Sequence, residues 1–204
     1  MSPHVRAVAA KAAALLLQYP DDSALAALPT IAAALAELPA ELAGSLGRVH
    51  DHRVRTDPGA LASEYVELFD LRRRCCLYLT YYTAGDTRER GAALVEFARA
   101  YAAAGYAIDG GELPDFLPAV LHLAAAAGEP AWVLLRRHRI GLDLLAQALD
   151  GCGSVYRHAI DAVRVLLPPA SRADLVAAVA LARSGPPREE VGLQPFALAP
   201  GGRR

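Results

Sequence analysis

Lysine is all but missing from this sequence. Lys11 is the single example among 21 basic residues, and every other cation is arginine. That removes a phosphate-cradling P-loop, a Schiff-base lysine and most lysine general-base schemes. G-x-S-x-G, G-x-G-x-x-G and H-E-x-x-H are also absent, so three common routes to hydrolysis, dinucleotide binding and zinc catalysis go with them. The three cysteines, Cys75, Cys76 and Cys152, contain no C-x-x-C spacing. An odd, unspaced set reads as reduced thiols rather than a secreted disulfide framework. Of six histidines only His50 and His52 lie close together, and two ligands without a third make a poor metal site. Basic and acidic residues balance at 21 and 22, which leaves no electrostatic footprint for nucleic acid. No apolar run reaches the roughly 18–20 residues of a membrane span. Near the N-terminus Lys11 interrupts the apolar stretch, and no small-residue cleavage pattern follows Leu17. The expectation there is an amphipathic helix, not a signal peptide.

What is present is helix-forming. Hydrophobic residues make up 54% of the 204, but much of that is alanine, with only four Phe and one Trp as large rings. Helical periodicity and breakers predict one all-α domain, a bundle of about eight helices over residues 1–183. A first helix at 4–19 ends at Pro20, and a second at 23–38 is interrupted by Pro29. Residues 41–46 extend helically, and the polar run 47–53 reads as a connector. Asp57 and Pro58 supply a cap and an N1 proline for a helix carrying Leu61, Tyr65, Leu68 and Phe69. Residues 72–83 suit strand as well as helix, being rich in Cys, Tyr, Thr and Leu, and the surrounding pattern favours helix after a break near 70–73. Gly85 stops that helix, and Asp86 with Glu89 three residues on has capping-box spacing for the next, whose buried face is Leu94, Phe97, Ala98 and Tyr101, with Gly91 permitting close approach. Pro114 opens a helix to Ala127. A longer one at 131–149 carries Leu135, Leu142 and Leu149, then 154–167, then a last helix opened by Ser171. From residue 184 on, Pro and Gly recur without helical period, and a disordered tail over 184–204 is expected.

Chemistry concentrates between Glu64 and Gly91. Tyr65, Leu68 and Phe69 stand at i, i+3 and i+4, and Tyr78, Tyr81 and Tyr82 repeat that spacing. Such stripes are most simply core, but tyrosine joins an apolar body to a polar tip and suits a half-buried wall. Carboxylates flank them at Glu64, Glu67, Asp70 and Asp86, with Glu112 and Asp115 later. Acids beside an aromatic wall are what a receptor for a basic, amphipathic peptide requires.

The run from Tyr65 through Phe69, Asp70, the arginine triplet 72–74, Cys75, Cys76, Tyr78, Tyr81 and Tyr82 to Gly85, Asp86 and Gly91 resembles the delta-subunit family of respiratory nitrate reductase assembly chaperones (NarJ), within the TorD-like molybdoenzyme chaperones. Glu112, Leu113, Pro114 and Asp115 are similar to that group's E-x-P-D-H element, with Phe116 in place of the histidine. The resemblance runs from about Ala7 to Pro168. It implies a cytoplasmic, non-enzymatic chaperone with no cofactor of its own and no insertion into the membrane. Its implied partner is the nitrate reductase alpha (catalytic) subunit, bound through its N-terminal segment in the apo alpha-beta complex and held for molybdenum cofactor insertion. Carried onto this sequence, the peptide-binding residues are Tyr65, Leu68, Phe69, Tyr78, Tyr82, Asp86, Glu112 and Asp115. Phe116 extends the apolar wall. Tyr65, Phe69 and Tyr82 are expected to line a cleft, with Asp86, Glu112 and Asp115 at its rim. The rival reading is a helical cofactor- or metal-binding enzyme using Cys75, Cys76 and a histidine.

Overall fold

Alanine decides how the first helix is used. In the computed structural model, which describes residues 1–85, 87–108, 111–185 and 187, α1 spans Pro3–Leu17. Ser2 caps it by accepting from the Val5 amide, and Pro3 sits where a missing N–H costs nothing. Ala9, Ala10, Ala12, Ala13, Ala14, Leu16 and Leu17 are all buried, so the helix is covered on most of its circumference. Small side chains let four neighbours approach closely: α3 (Leu28–Leu35), α4 (Ala40–Arg55), α8 (Leu117–Ala127) and α11 (Arg157–Val165). The carbonyls at the end of α1 are met by a buried cation. Arg53, 2% exposed, donates through Nη1 to Leu15 O at 3.3 Å and through Nη2 to Gln18 O. A guanidinium there satisfies orphan carbonyls and the negative end of the helix dipole together.

The second group of helices centres on α10 (Arg139–Gly151). It packs against α11, α12 (Arg172–Ser184), α6 (Leu79–Ala84) and α9 (Glu129–Arg137). Gly141 permits the α6 contact, because a Cβ there would lie 3.2 Å from the Tyr82 ring and 3.3 Å from Leu79 O. Asp143, buried, accepts from Arg164 Nε at 2.6 Å and so ties α10 to α11. The remaining helices are α2 (Asp22–Ala26), capped by Asp21, α5 (Pro58–Tyr65) and α7 (Arg88–Ala103). One cluster of buried apolar side chains runs from Ala9 to Leu167. The architecture is all-α, as the sequence pattern predicts, with twelve α-helical segments among the described residues rather than about eight. No helix among them is long and apolar enough to cross a membrane.

Several boundaries differ from expectation. The run 47–53 is no connector but the second half of α4, where Leu42, Leu46, Val49 and Arg53 form the buried face and the polar residues look outward. Arg53 disguised that stripe because its charge is satisfied inside. The helix expected at 131–149 is broken at His138, whose φ of −96° and ψ of 18° separate α9 from α10. On α7, Phe97 and Tyr101 are buried, but Leu94 is only half-buried, Ala98 and Gly91 are exposed, and a Cβ on Gly91 would meet nothing. α8 begins at Leu117, not Pro114. Its cap position is Phe116, and Pro118 is the proline of its first turn. The capping box proposed from Asp86 falls outside the described residues, as does nearly all of the 184–204 tail. α12 itself runs through Ser184.

Candidate functional site

Helix α5 starts as predicted, with Asp57 accepting from Gly59 N at 2.9 Å and Ala60 N at 3.2 Å. Beyond Tyr65 the chain widens into a π-turn, Val66–Asp70, closed by Leu71 N donating to Val66 O. One extra residue per turn re-aims the side chains that follow. Tyr65 and Phe69 still stack, with centroids 4.8 Å apart, but Leu68 faces a different hollow beside His52, Glu64, Glu67 and Arg72. The break expected near 70–73 is longer than foreseen. A 3-10 turn, Arg73–Cys75, follows, and Cys76 and Tyr78 are extended on either side of a bend at Leu77. Tyr78 there pairs antiparallel with Phe116: Leu117 N donates to Leu77 O at 2.8 Å and Leu79 N to Asp115 O at 3.1 Å. This short pairing brings the two sequence motifs, residues 64–91 and 112–116, into one place.

Two hollows lie on either side of Tyr78 and Asp70. The first, about 470 Å³, is lined by Tyr19 and Asp21 after α1, by Ala24 of α2 and Ala27 just beyond it, and by Tyr65, Asp70, Tyr78, Glu112 and Phe116. Among the described residues its walls hold three carboxylates and no lysine or arginine. Tyr19 meets Tyr65 edge-on at 5.4 Å, and Tyr78 packs on Phe116 at 5.5 Å. The Tyr78 hydroxyl donates to Glu112 Oε1 at 3.1 Å. Burial and the Glu112 charge push that phenol up to about 12, so it stays a donor at any physiological pH. The second hollow, about 420 Å³, is lined by Phe69, Asp70, Arg73, Cys76, Tyr78, Tyr81, Arg90 and Leu113. A third groove of about 430 Å³ lies between α1, α3 and α8, lined by five alanines with Val8, Leu15, Ile31, Thr30, Lys11 and His122. Among the described residues it holds no carboxylate and no aromatic ring besides His122, so the tyrosine-walled cleft, with its polar groups for orientation, is the stronger candidate.

The structure sorts the expected residues into three groups. Tyr65, Tyr78, Glu112 and Phe116 line the first hollow, and Phe69 with Tyr78 lines the second. Tyr82 and Asp115 do not line either. Tyr82 is 4% exposed and donates to Arg74 O at 3.0 Å and Cys76 O at 2.8 Å, which fixes the turn and the extended segment from beneath. Asp115 is fully buried and accepts from Thr80 N at 2.9 Å and Thr80 Oγ1 at 2.6 Å. It caps α6 from another part of the chain, and is therefore not a rim charge. Asp86 lies outside the described residues. Sequence reasoning passed over Tyr19 and Asp21 as wall residues, and it counted Tyr81 in the aromatic stripe without carrying it into the binding set. Tyr19, stranded between the end of α1 and Pro20, was the available signal.

Among the described residues no three His, Cys, Asp or Glu side chains gather as a metal site would require. Burial pushes the Cys75 thiol up to about 12, the opposite of what an activated nucleophile needs.

The family model for the nitrate reductase delta subunit matches residues 22–160. The nitrate reductase-like protein NarX of Mycobacterium tuberculosis is 41% identical over 152 residues. That is 74% of this chain but 23% of NarX, so the chain spans under a quarter of that relative. The Bacillus subtilis protein named as the nitrate reductase molybdenum cofactor assembly chaperone NarJ is 32% identical over 153 residues, 74% of this chain and 83% of that one. The NarJ chaperone of Escherichia coli is 34% identical over 113 residues, 54% of this chain and 48% of its own length. A crystal structure named for redox enzyme maturation, from Archaeoglobus fulgidus, superposes with a TM-score of 0.57 at 23% identity, covering 78% of this chain and 91% of the other. That likeness concerns the fold.

Proposed function

This chain belongs to the nitrate reductase delta-subunit family, and from that membership we propose that it is an assembly chaperone for a respiratory nitrate reductase. It works in the cytoplasm without catalysing a reaction. Its partner is the catalytic alpha subunit, whose N-terminal segment it binds while the apoenzyme awaits molybdenum cofactor. The observation that carries the reading is the first hollow. Tyr19, Tyr65, Tyr78 and Phe116 give apolar walls, and Asp21, Asp70 and Glu112 give an acidic edge. A short amphipathic helix with a cation beside its apolar face fits such a surface by burial plus charge selection. The matched relatives named as chaperones support the assembly role.

The test is made in cells. Deleting the gene should leave alpha and beta subunits synthesised but poor in molybdenum, and the wild-type chain should restore it. Normal molybdenum content and nitrate reductase activity in the deletion strain would refute the proposal.

A further inference from the structure

Two of the three thiols stand on elements that pack together. Cys75 lies in the 3-10 turn Arg73–Cys75, and Cys152 at the C-cap of α10. Cys75 is buried and Cys152 exposed, and after burial the nearness of Cys152 is the main influence that raises the Cys75 thiol. Arg72, immediately before the turn, donates through Nη1 to Cys152 Sγ at 3.1 Å. Cys76 is set apart, its sulfur directed to Tyr78 O at 4.0 Å on the cleft side.

We infer that Cys152 and Cys75 are an oxidisable pair, Cys152 the thiol that reacts with a peroxide and Cys75 the thiol that resolves the product into a disulfide. The geometry divides the roles. Cys152 is open to solvent, and the guanidinium stands where negative charge develops on its sulfur. Cys75 is shielded from solvent on the turn that packs against α10, so a peroxide reaches Cys152 first. In the first step the Cys152 sulfur attacks a peroxide oxygen, the O–O bond breaks, and hydroxide leaves to become water, with Cys152 now a sulfenic acid. In the second, the Cys75 sulfur attacks that sulfur and displaces hydroxide, which leaves as water with the Cys75 proton. Two thiols thus lose two electrons and one hydrogen peroxide becomes two waters. The cross-link would fasten the 3-10 turn to α10, directly beside the extended segment that carries Tyr78. The inference does not depend on the identity of any binding partner.

The experiment exposes the purified full chain to hydrogen peroxide and maps disulfides by mass spectrometry without reduction. Expected is one intramolecular link between the Cys75 and Cys152 peptides, with titratable thiols falling from three to one and restored by dithiothreitol. Cys76→Ser should form the same link, and Cys152→Ser should retain its thiols. Cys75→Ser should leave a Cys152 sulfenic acid that dimedone traps. Arg72→Ala should slow Cys152 oxidation by about two- to fivefold, the worth of one exposed charge contact. Should Cys75→Ser fail to fold, the Cys76→Ser and Cys152→Ser variants still decide the matter. A Cys75–Cys76 link, Cys152-linked dimers, or thiols that survive treatment would overturn the inference.

Discussion

Asp115→Ala separates a supporting carboxylate from a ligand-binding one. Asp115 accepts two short bonds from Thr80, one from the second amide of α6 and one from its hydroxyl. Bonds to a charged acceptor are worth about 1.5–3 kcal/mol each, so about 3–6 kcal/mol is lost. Against that, the other carboxylate oxygen is buried without a partner, and removing it recovers about 1–3 kcal/mol of desolvation. The net destabilisation is about 2–3 kcal/mol. For a chain of this length each kcal/mol lowers Tm by roughly 2–4 °C, which predicts a fall of about 4–12 °C. Asp115→Asn keeps an oxygen for the Thr80 amide and should lose about 1 kcal/mol. Thermal unfolding followed by helical circular dichroism measures both. A folded Asp115→Ala that melts like the parent would refute the capping role, and loss of peptide binding in that same protein would return Asp115 to the rim.

Three further outcomes follow from buried groups. Arg53→Met should destabilise the fold by about 3 kcal/mol or more in denaturant titration, because the end of α1 loses its buried cation; a change below about 1 kcal/mol would mean water replaces it. His122 is held at about 4 by burial and Lys11, against 6.5 unperturbed. The unfolded chain therefore binds more protons between those values, so stability from His122 is present above pH 6.5 and lost as pH falls toward 4. His122→Leu should flatten that acid slope, by about 2 kcal/mol after allowing for the group's partial exposure. At the other extreme Tyr78 is raised to about 12 by burial and Glu112. Its stabilisation is complete below the ordinary tyrosine value of 10.0 and lost as pH rises through 12. Glu112→Gln should move the ionisation of Tyr78 downward in an ultraviolet titration.

Local chemistry made much of the fold legible. Ser2 with Pro3, and Asp57 with Pro58, announced their helices by cap and N1 proline. What failed to show were features made by distant parts of the chain. The α4 stripe ends on a buried arginine, which reads as surface until the carbonyls of α1 are placed beside it. Leu135 and Leu142 keep a heptad step across the His138 break, so spacing alone joined two helices. In the site, the aromatic stretch and the Glu112 element were both visible, but not which acids face outward. Asp115 turns inward because α6 begins in the pairing of residues 76–78 with Phe116 and its amides need an acceptor. The π-turn that parts Leu68 from Tyr65 leaves no mark in hydrophobic period. Phe69, an obvious anchor by spacing, is 4% exposed against Tyr65 and Tyr156, so truncating it would cost folding first, about 3–5 kcal/mol.

Tyr78 is the better probe of binding, being half-buried and shared by both hollows. The measurement is calorimetric titration of a synthetic peptide from the alpha subunit's N-terminus into wild type, Tyr78→Ala and Glu112→Gln, at two salt concentrations, with each variant's Tm recorded. The account predicts that folded Tyr78→Ala binds with about 2 kcal/mol less free energy, roughly thirtyfold weaker. Glu112→Gln should lose about 1 kcal/mol or less, a deficit that shrinks as salt rises. Wild-type affinity in a folded Tyr78→Ala would contradict the central claim and move the peptide away from this cleft.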